Sequence, residues 1–473
     1  MEKTSSKLIT NKESAQCQHD ELATSSSGIL SQSSIAGSKL KRKCQHEISH
    51  LCSKEKKISD DEKTPTEFND MCDNVIDIIL CHLNLEDLAN ISDTNKRLRN
   101  IAGSVFSRKH GNHLISFDAF HYVPYKPVDY VRRIYENRNL IYCENKLIVR
   151  ISDAIIWFKL MRNFGESIKF ICIHCSVDTN IPIVLKNVFK YVCDYCADSL
   201  EALELHSFPF FTLNKPLIKL QEFIARTSFF DLEALELMPN LRSLNLSYAP
   251  KSVEKYFLKL ERVSLIIESD EEVHSFISFL QMNRQIKYLH LCMQISNYND
   301  LIYSSIDENL TQLKTFKLTV CYRGKQNAPE LIPTYRFKTI ETFSYDGWSC
   351  GRIIESYEFD NLQKCHLKMC VNMHWMNFIL RNKKLKILKF FSRSASWIEK
   401  NNVTIRKLLD ELTELEQIDF EYDIKEKHLI LKEILGNEWE QIQMKEIAST
   451  LKSIWKSKFR RIPKIQKILK TND

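Results

Sequence analysis

Glycine and proline are scarce, with nine and eleven among 473 residues. So few glycines leave no Gly-rich loop to wrap backbone amides around a phosphate, and neither a Gly-x-Ser-x-Gly elbow nor a His-Glu-x-x-His helix occurs. No catalytic residue, cofactor or metal is expected on these grounds. No apolar run approaches the ~18 residues a membrane span needs, and Met1 to Thr10 is too polar for a secretory signal. A cytoplasmic or nuclear setting without a membrane partner is therefore expected. Fifteen cysteines, an odd number in no regular framework, fit reduced thiols in that setting.

What is present is apolar content, 44% of residues, enough for a sizeable core in a chain long enough for two or three domains or for one module plus a repeat array. The net charge of +7 is concentrated at one end: from Met444 to Asp473 nine Lys/Arg stand against Glu446 and Asp473. Ile447, Leu451, Ile454 and Trp455 recur there at helical spacing, so a basic amphipathic helix is predicted over 441–473. Nucleic acid is the weaker reading of that charge.

Residues 1–66 are rich in Ser, Lys and Gln and too polar to bury a core, which predicts a disordered tail. Two basic clusters, Lys39 to Lys43 and Lys54 to Lys57, have the spacing of a bipartite nuclear import signal. Cys44, His46, His50 and Cys52 lie close enough for one tetrahedral metal, but no second element is available to fold around them.

Residues 67–112 carry the densest information. Val75, Ile79 and Leu83 fall at i, i+4 and i+8 with Ile76 and Leu80 beside them, giving a short helix a broad apolar stripe. Asn84, three residues ahead of Asp87, opens a second helix bearing Leu85, Leu88 and Ile91. A third helix from about Thr94 turns Leu98, Ile101 and Ala102 inward and leaves Lys96, Arg97 and Arg99 near the surface. Three helices in so few residues make a poor independent core and call for a neighbouring domain or another chain.

This segment resembles an F-box: Leu83, Leu85-Glu86-Asp87-Leu88 and Lys96-Arg97-Leu98 match its pattern at the right spacing. The departures are Met71-Cys72 for Leu-Pro, Asn74 for Glu and Asn95 for Cys. The resemblance implies docking to a Skp-type linker protein, and through it to a cullin scaffold, by Met71, Cys72, Val75, Ile76, Ile79, Leu80, Leu83, Leu85 and Leu88.

Beyond a linker and cap at 113–165, where Leu140 to Ile151 predicts a capping strand and Asp153 to Asn163 a helix, a short signature recurs over 166–440. Large apolar residues occupy positions one, four and six: Ile168/Ile171/Ile173, Leu200/Leu203/Leu205, Leu220/Phe223/Ala225, Leu241/Leu244/Leu246, Leu260/Val263/Leu265, Ile286/Leu289/Leu291, Leu313/Phe316/Leu318, Ile340/Phe343/Tyr345, Leu362/Cys365/Leu367, Leu385/Leu388/Phe390 and Leu415/Ile418/Phe420. Most starting positions step by 20 to 27 residues, the period of leucine-rich repeats. The expected fold class is α/β, a three-helix F-box module followed by a curved leucine-rich-repeat solenoid with parallel strands on the concave face and helices on the convex one.

The whole is similar to the F-box/leucine-rich-repeat family, which implies a substrate receptor of a Skp-cullin-F-box ubiquitin ligase, with no reacting residue of its own and an unknown protein client. A non-degradative scaffold and a nuclear nucleic-acid-associated protein are the alternatives. Outward strand positions would face the client: Arg262, Tyr288, His290, Lys317, Lys364, His366, Lys368, Lys389 and Phe391 are the candidates, with Glu204 and Asp419 expected on the same face. A solvated strand face accounts for most of them; docking of an acidic or phosphorylated segment is the sharper reading. Cys172, Cys175, Cys193 and Cys196 have zinc-like Cys-x2-Cys spacing, but Cys172 falls on a predicted strand and Cys193 and Cys196 on a helix, where small buried residues are expected.

Overall fold

The computed structural model describes residues 70–118, 148–175, 182–208, 213–226, 232–247, 256–293, 300–320, 333–347, 354–368, 373–392, 402–422, 427–448 and 453–462. The readings made for 1–66 lie outside these residues. The chain divides into two compact units, Met1–Ile79 and Leu80–Asp473.

In the first unit the described residues form most of helix α1 (Asp73–Cys81), whose first turn closes when the Val75 and Ile76 amides donate to the Cys72 carbonyl at 3.0 and 3.1 Å. Ile76 is fully buried, whereas Val75 and Ile79 keep partial exposure.

The second unit opens with α2 (Leu85–Ser92) and α3 (Lys96–His110), and both starts follow from asparagine. Asn84 Oδ1 accepts from the Asp87 amide at 2.8 Å and Asn95 Oδ1 from the Leu98 amide at 2.8 Å, satisfying amides that a helix N-terminus otherwise leaves unpaired. Leu88, Leu98, Ile101, Ala102, Val105 and Phe106 are buried. The neighbour that this small core requires is α4 (Ala154–Phe164), capped by Asp153, against which α2 and α3 pack and where Phe106 stacks on Phe164 at 4.6 Å.

Fifteen strands form one sheet. Eleven of them carry the eleven predicted triplets in sequence order: β3 (Phe170–His174), β4 (Ala202–His206), β5 (Glu222–Arg226), β6 (Ser243–Leu246), β7 (Arg262–Ile267), β8 (Tyr288–Met293), β9 (Thr315–Val320), β11 (Thr342–Gly347), β13 (Lys364–Lys368), β14 (Ile387–Ser392) and β15 (Gln417–Tyr422). Each of the eleven is parallel to the next, and every anchor of the triplets is at most 3% exposed. Two strands precede them: β1 (Leu114–Asp118), which the sequence did not signal, lies between β3 and β2 (Ile148–Ile151). The latter lies within the predicted capping segment.

Helices occupy some of the crossovers between these strands. Among the described residues they are α5 (Pro182–Cys196), α6 (Asp270–Met282), α7 (Asp300–Asn309), α8 (Met373–Arg381) and α9 (Asn402–Glu411), with α10 (Lys427–Leu435) after the last parallel strand. A 3-10 turn, Leu232–Leu237, lies between β5 and β6. Between β9 and β13, short strands β10 (Tyr335–Phe337) and β12 (Tyr357–Phe359) pair with each other outside the main sheet. Tyr303, Tyr335, Phe337, Phe343, Tyr357, Phe359 and Phe378 make ring contacts at 5.0 to 6.1 Å around these two strands. One scarce glycine is placed by close approach. A Cβ on Gly165 would meet the Tyr195 carbonyl oxygen at 2.5 Å, so the end of α4 nears α5 only without a side chain.

Over the described residues of 441–473 the predicted helix is not formed: 441–448 and 453–461 lie in two antiparallel strands, β16 (Trp439–Ala448) and β17 (Ser453–Arg461), and β17 pairs antiparallel with β15. Buried Ser457 and Phe459 alternate with the more exposed Lys458 and Arg460, a period of two. Without β17 the edge of β15 would be left unpaired, and the antiparallel pairing satisfies its backbone groups. Arg461 fixes the hairpin by donating to the carbonyls of Leu409, Leu412 and Thr413 at 2.7, 3.1 and 2.9 Å, at the C-terminal end of α9.

Candidate functional site

The nine residues expected to dock a linker protein separate by burial. Ile76, Leu80 and Leu88 are fully buried within the chain and have no surface to offer, a correction to that expectation. Met71, Val75, Ile79, Leu83 and Leu85 are partly exposed, and Cys72 is exposed. Leu88 falls on the α2 face that packs against α3 and α4, whereas Leu85 is the first residue of that helix. At the end of α1, Lys109 Nζ donates to the carbonyls of Cys81 and Leu83 at 2.7 and 3.3 Å, a cation at a helix C-terminus.

Polar groups tie α2 and α3 to α4. Arg162 donates to Asp93 Oδ1 at 2.5 Å, Asn163 Nδ2 to Ser92 Oγ and Asp93 Oδ1 at 2.7 Å each, and Lys159 Nζ to Asn90 Oδ1 at 2.6 Å. Partial burial pushes the Asp93 carboxyl up, but the hydrogen bonds from Asn163 and Arg162 outweigh it and hold the group below its usual range. No sequence motif announces this contact.

Strand register lines the candidate client-facing residues into continuous files. One file runs Ser116, Cys172, Glu204, Ile224, Asn245, Ser264, His290, Lys317, Ser344, His366, Lys389, Asp419. Beside it Arg262, Tyr288, Thr315, Thr342 and Lys364 form a second. Lys368 is in the third, next in register to Phe391, whose side chain lies outside the described residues.

Only part of this face is accessible. From β7 to β11 its positions are half-exposed and alternate with buried anchors, whereas over β1, β3 and β4 both faces are buried. Glu204 and Asp419, expected outward, are 3% and 2% exposed. Two expected cations are neutralised: Lys368 pairs with Asp346 at 2.9 Å and Lys389 with buried Asp419 at 3.5 Å. Lys364 stays exposed, and Lys317 is half-buried, its ammonium pushed down by burial and by Lys368. Burial raises the Tyr288 phenol.

His290 bridges three strands. Its Nδ1 lies 3.0 Å from Ser264 Oγ and its Nε2 3.1 Å from Thr319 Oγ1. Burial, with Lys317 and Arg226 nearby, pushes it down to about 3, so it is neutral at physiological pH, with one donor and one acceptor nitrogen.

The four cysteines of zinc-like spacing are all buried, at 0 to 1% exposure, but they do not converge. Strand alternation separates Cys172 from Cys175, and burial raises the thiols of Cys175, Cys193 and Cys196, that of Cys193 to about 12. Cys172 instead lies beside His174, with Sγ to Nε2 2.9 Å. His174 stacks on His206 at 4.2 Å, and His206 Nε2 contacts Glu204 Oε1. No single local motif joins His174 to His206. The available signal was Cys-x-His in β3 aligned with Glu-x-His in β4.

No helix among the described residues is long and apolar enough to cross a membrane. No curated protein matches the sequence. Residues 68–110, which contain α1, α2 and α3, match the F-box domain family.

Proposed function

We propose that this protein is the substrate-recognition subunit of a Skp-cullin-F-box ubiquitin ligase. F-box domains bind Skp-type linkers in such complexes and F-box proteins are in general non-catalytic adaptors, so the match over 68–110 is the observation that carries the reading. The exposed Cys72 and the partly exposed Met71, Val75, Ile79, Leu83 and Leu85 dock the linker, which in turn joins the cullin. The long sheet, read as leucine-rich repeats, holds a protein client. The mechanism is proximity: the client's lysines are held at high effective concentration near a ubiquitin thioester carried by another subunit.

The accessible sheet face favours an acidic client segment. With Lys368 and Lys389 paired internally, Arg226, Arg262, Lys317 and Lys364 supply its positive charge, and among the described residues no salt bridge engages these four. The test compares proteins co-purified with the wild-type chain and with a Leu83→Asp, Leu85→Asp variant while the proteasome is blocked. Loss of the linker and a longer client half-life in the variant are expected. Retained linker binding would overturn the docking surface, and an unchanged client half-life would favour a scaffold that binds the linker without degrading its client.

A further inference from the structure

On the sheet face away from the apolar anchors, β3 and β4 place four polar side chains side by side. Cys172 is opposite Glu204 and His174 opposite His206 in register. All four are buried, at 0, 3, 1 and 5% exposure, in a fold whose other core positions are overwhelmingly apolar. Burying two imidazoles, a thiol and a carboxylate together is costly unless their polar atoms share strong partners. Ligand atoms of Cys172, His174 and His206 lie within 4.8 Å of one another.

We propose that Cys172, His174 and His206 form a structural site for a thiophilic divalent transition metal, zinc being the chemical type, with Glu204 positioning His206. One thiolate and two imidazoles are a ligand set that suits such ions, which favour sulfur and nitrogen at roughly 2.0 to 2.3 Å. Donors around a tetrahedral ion of that size stand roughly 3.3 to 3.7 Å apart. To reach that spacing the two imidazoles turn out of their near-parallel stack, so that both in-plane lone pairs meet the ion, and the 2.9 Å Cys172 to His174 contact widens. The carboxylate of Glu204 engages Nε2 of His206, which fixes the tautomer and leaves Nδ1 with its lone pair for the ion, the carboxylate–histidine–metal arrangement. Binding replaces the thiol proton of Cys172, which is released to solvent, so no oxidant or reductant is required. Because the ligands are buried, the site fills as β3 and β4 pair during folding, and the ion then ties together the two strands that begin the repeat array.

The full chain, purified and reconstituted with Zn2+, is tested by elemental analysis after gel filtration, with Co2+ as the spectroscopic probe. About one equivalent of zinc is expected, together with a thiolate-to-cobalt charge-transfer band and a higher thermal midpoint on zinc addition. Cys172→Ser and His206→Gln should lose the metal, and Glu204→Gln should weaken it about 10- to 100-fold. A Cys44→Ser, Cys52→Ser variant should retain it. A wild-type chain without zinc or cobalt–thiolate absorption overturns the proposal, and so does metal lost only from the Cys44/Cys52 variant. If Cys172→Ser fails to fold, the cobalt band and thermal shift of the wild-type chain still decide.

Discussion

The Arg162 guanidinium reaches Asp93 Oδ1 across 2.5 Å, joining the helix that leads into β3 to the turn between α2 and α3. The two residues are 69 positions apart, and their contact ties the turn after α2 to the helix that precedes β3. The side chains are 50% and 24% exposed, so Arg162→Ala should cost only about 0.5–1 kcal/mol. Asn163→Ala removes the amide bonded to both Ser92 and Asp93 and should cost about 1–2 kcal/mol. Asp93 is held below its usual range in the folded chain. Its contribution is therefore complete above the unfolded value of about 3.9 and disappears as pH falls through the lower folded value. Urea unfolding at neutral and strongly acidic pH should show Asp93→Asn destabilising at the first and nearly silent at the second.

Leu83 and Leu88 should separate binding from folding. Leu88→Asp places a charge in a fully buried position and should cost several kcal/mol, visible as lost helical circular dichroism. Leu83 is only partly buried, so Leu83→Asp should leave the spectrum intact while abolishing pull-down of a Skp-type linker. A linker still bound at wild-type strength would remove Leu83 from the interface.

Lys389 and Lys364 lie on neighbouring strands but should respond differently to charge reversal. Lys389→Glu faces buried Asp419 with a like charge and should lower the thermal midpoint. Lys364 is exposed, and Lys364→Glu should leave stability within about 0.5 kcal/mol while weakening capture of an acidic client. Equal stability losses in the two variants would contradict this assignment.

Arg461 closes the C-terminal end of α9 with three hydrogen bonds to backbone carbonyls. Arg461→Ala should cost about 1–3 kcal/mol, concentrated locally. Hydrogen exchange should accelerate in α9 and β17 and stay unchanged in β3 to β9. Uniform acceleration across the sheet would show instead that the hairpin supports the whole array.

Much of the fold was legible because it is periodic. The Leu-x-x-Leu-x-Leu spacing fixed eleven strands and their buried anchors, and with them the register that aligns Ser264, His290 and Lys317. Asn84 and Asp87 marked a helix start because a cap is a local bond. Exposure was less legible. Glu204 and Asp419 have the same parity as Lys317, and only packing around the early and last strands buries them. The tail failed for a related reason: its apolar residues fit a helix, and the period-two alternation of Ser457 to Arg460 prevailed because β15 offered an edge to pair with.

The sequence alone determined the elements whose causes are local: helix caps, the F-box pattern, and the period of the strands. Tertiary structure decided what depends on residues far apart in the chain. It paired Arg162 with Asp93, neutralised Lys368 and Lys389, and brought His206 onto His174. Propensity and capping act over a few residues, whereas burial, ion pairing and ligand convergence depend on which strands become neighbours.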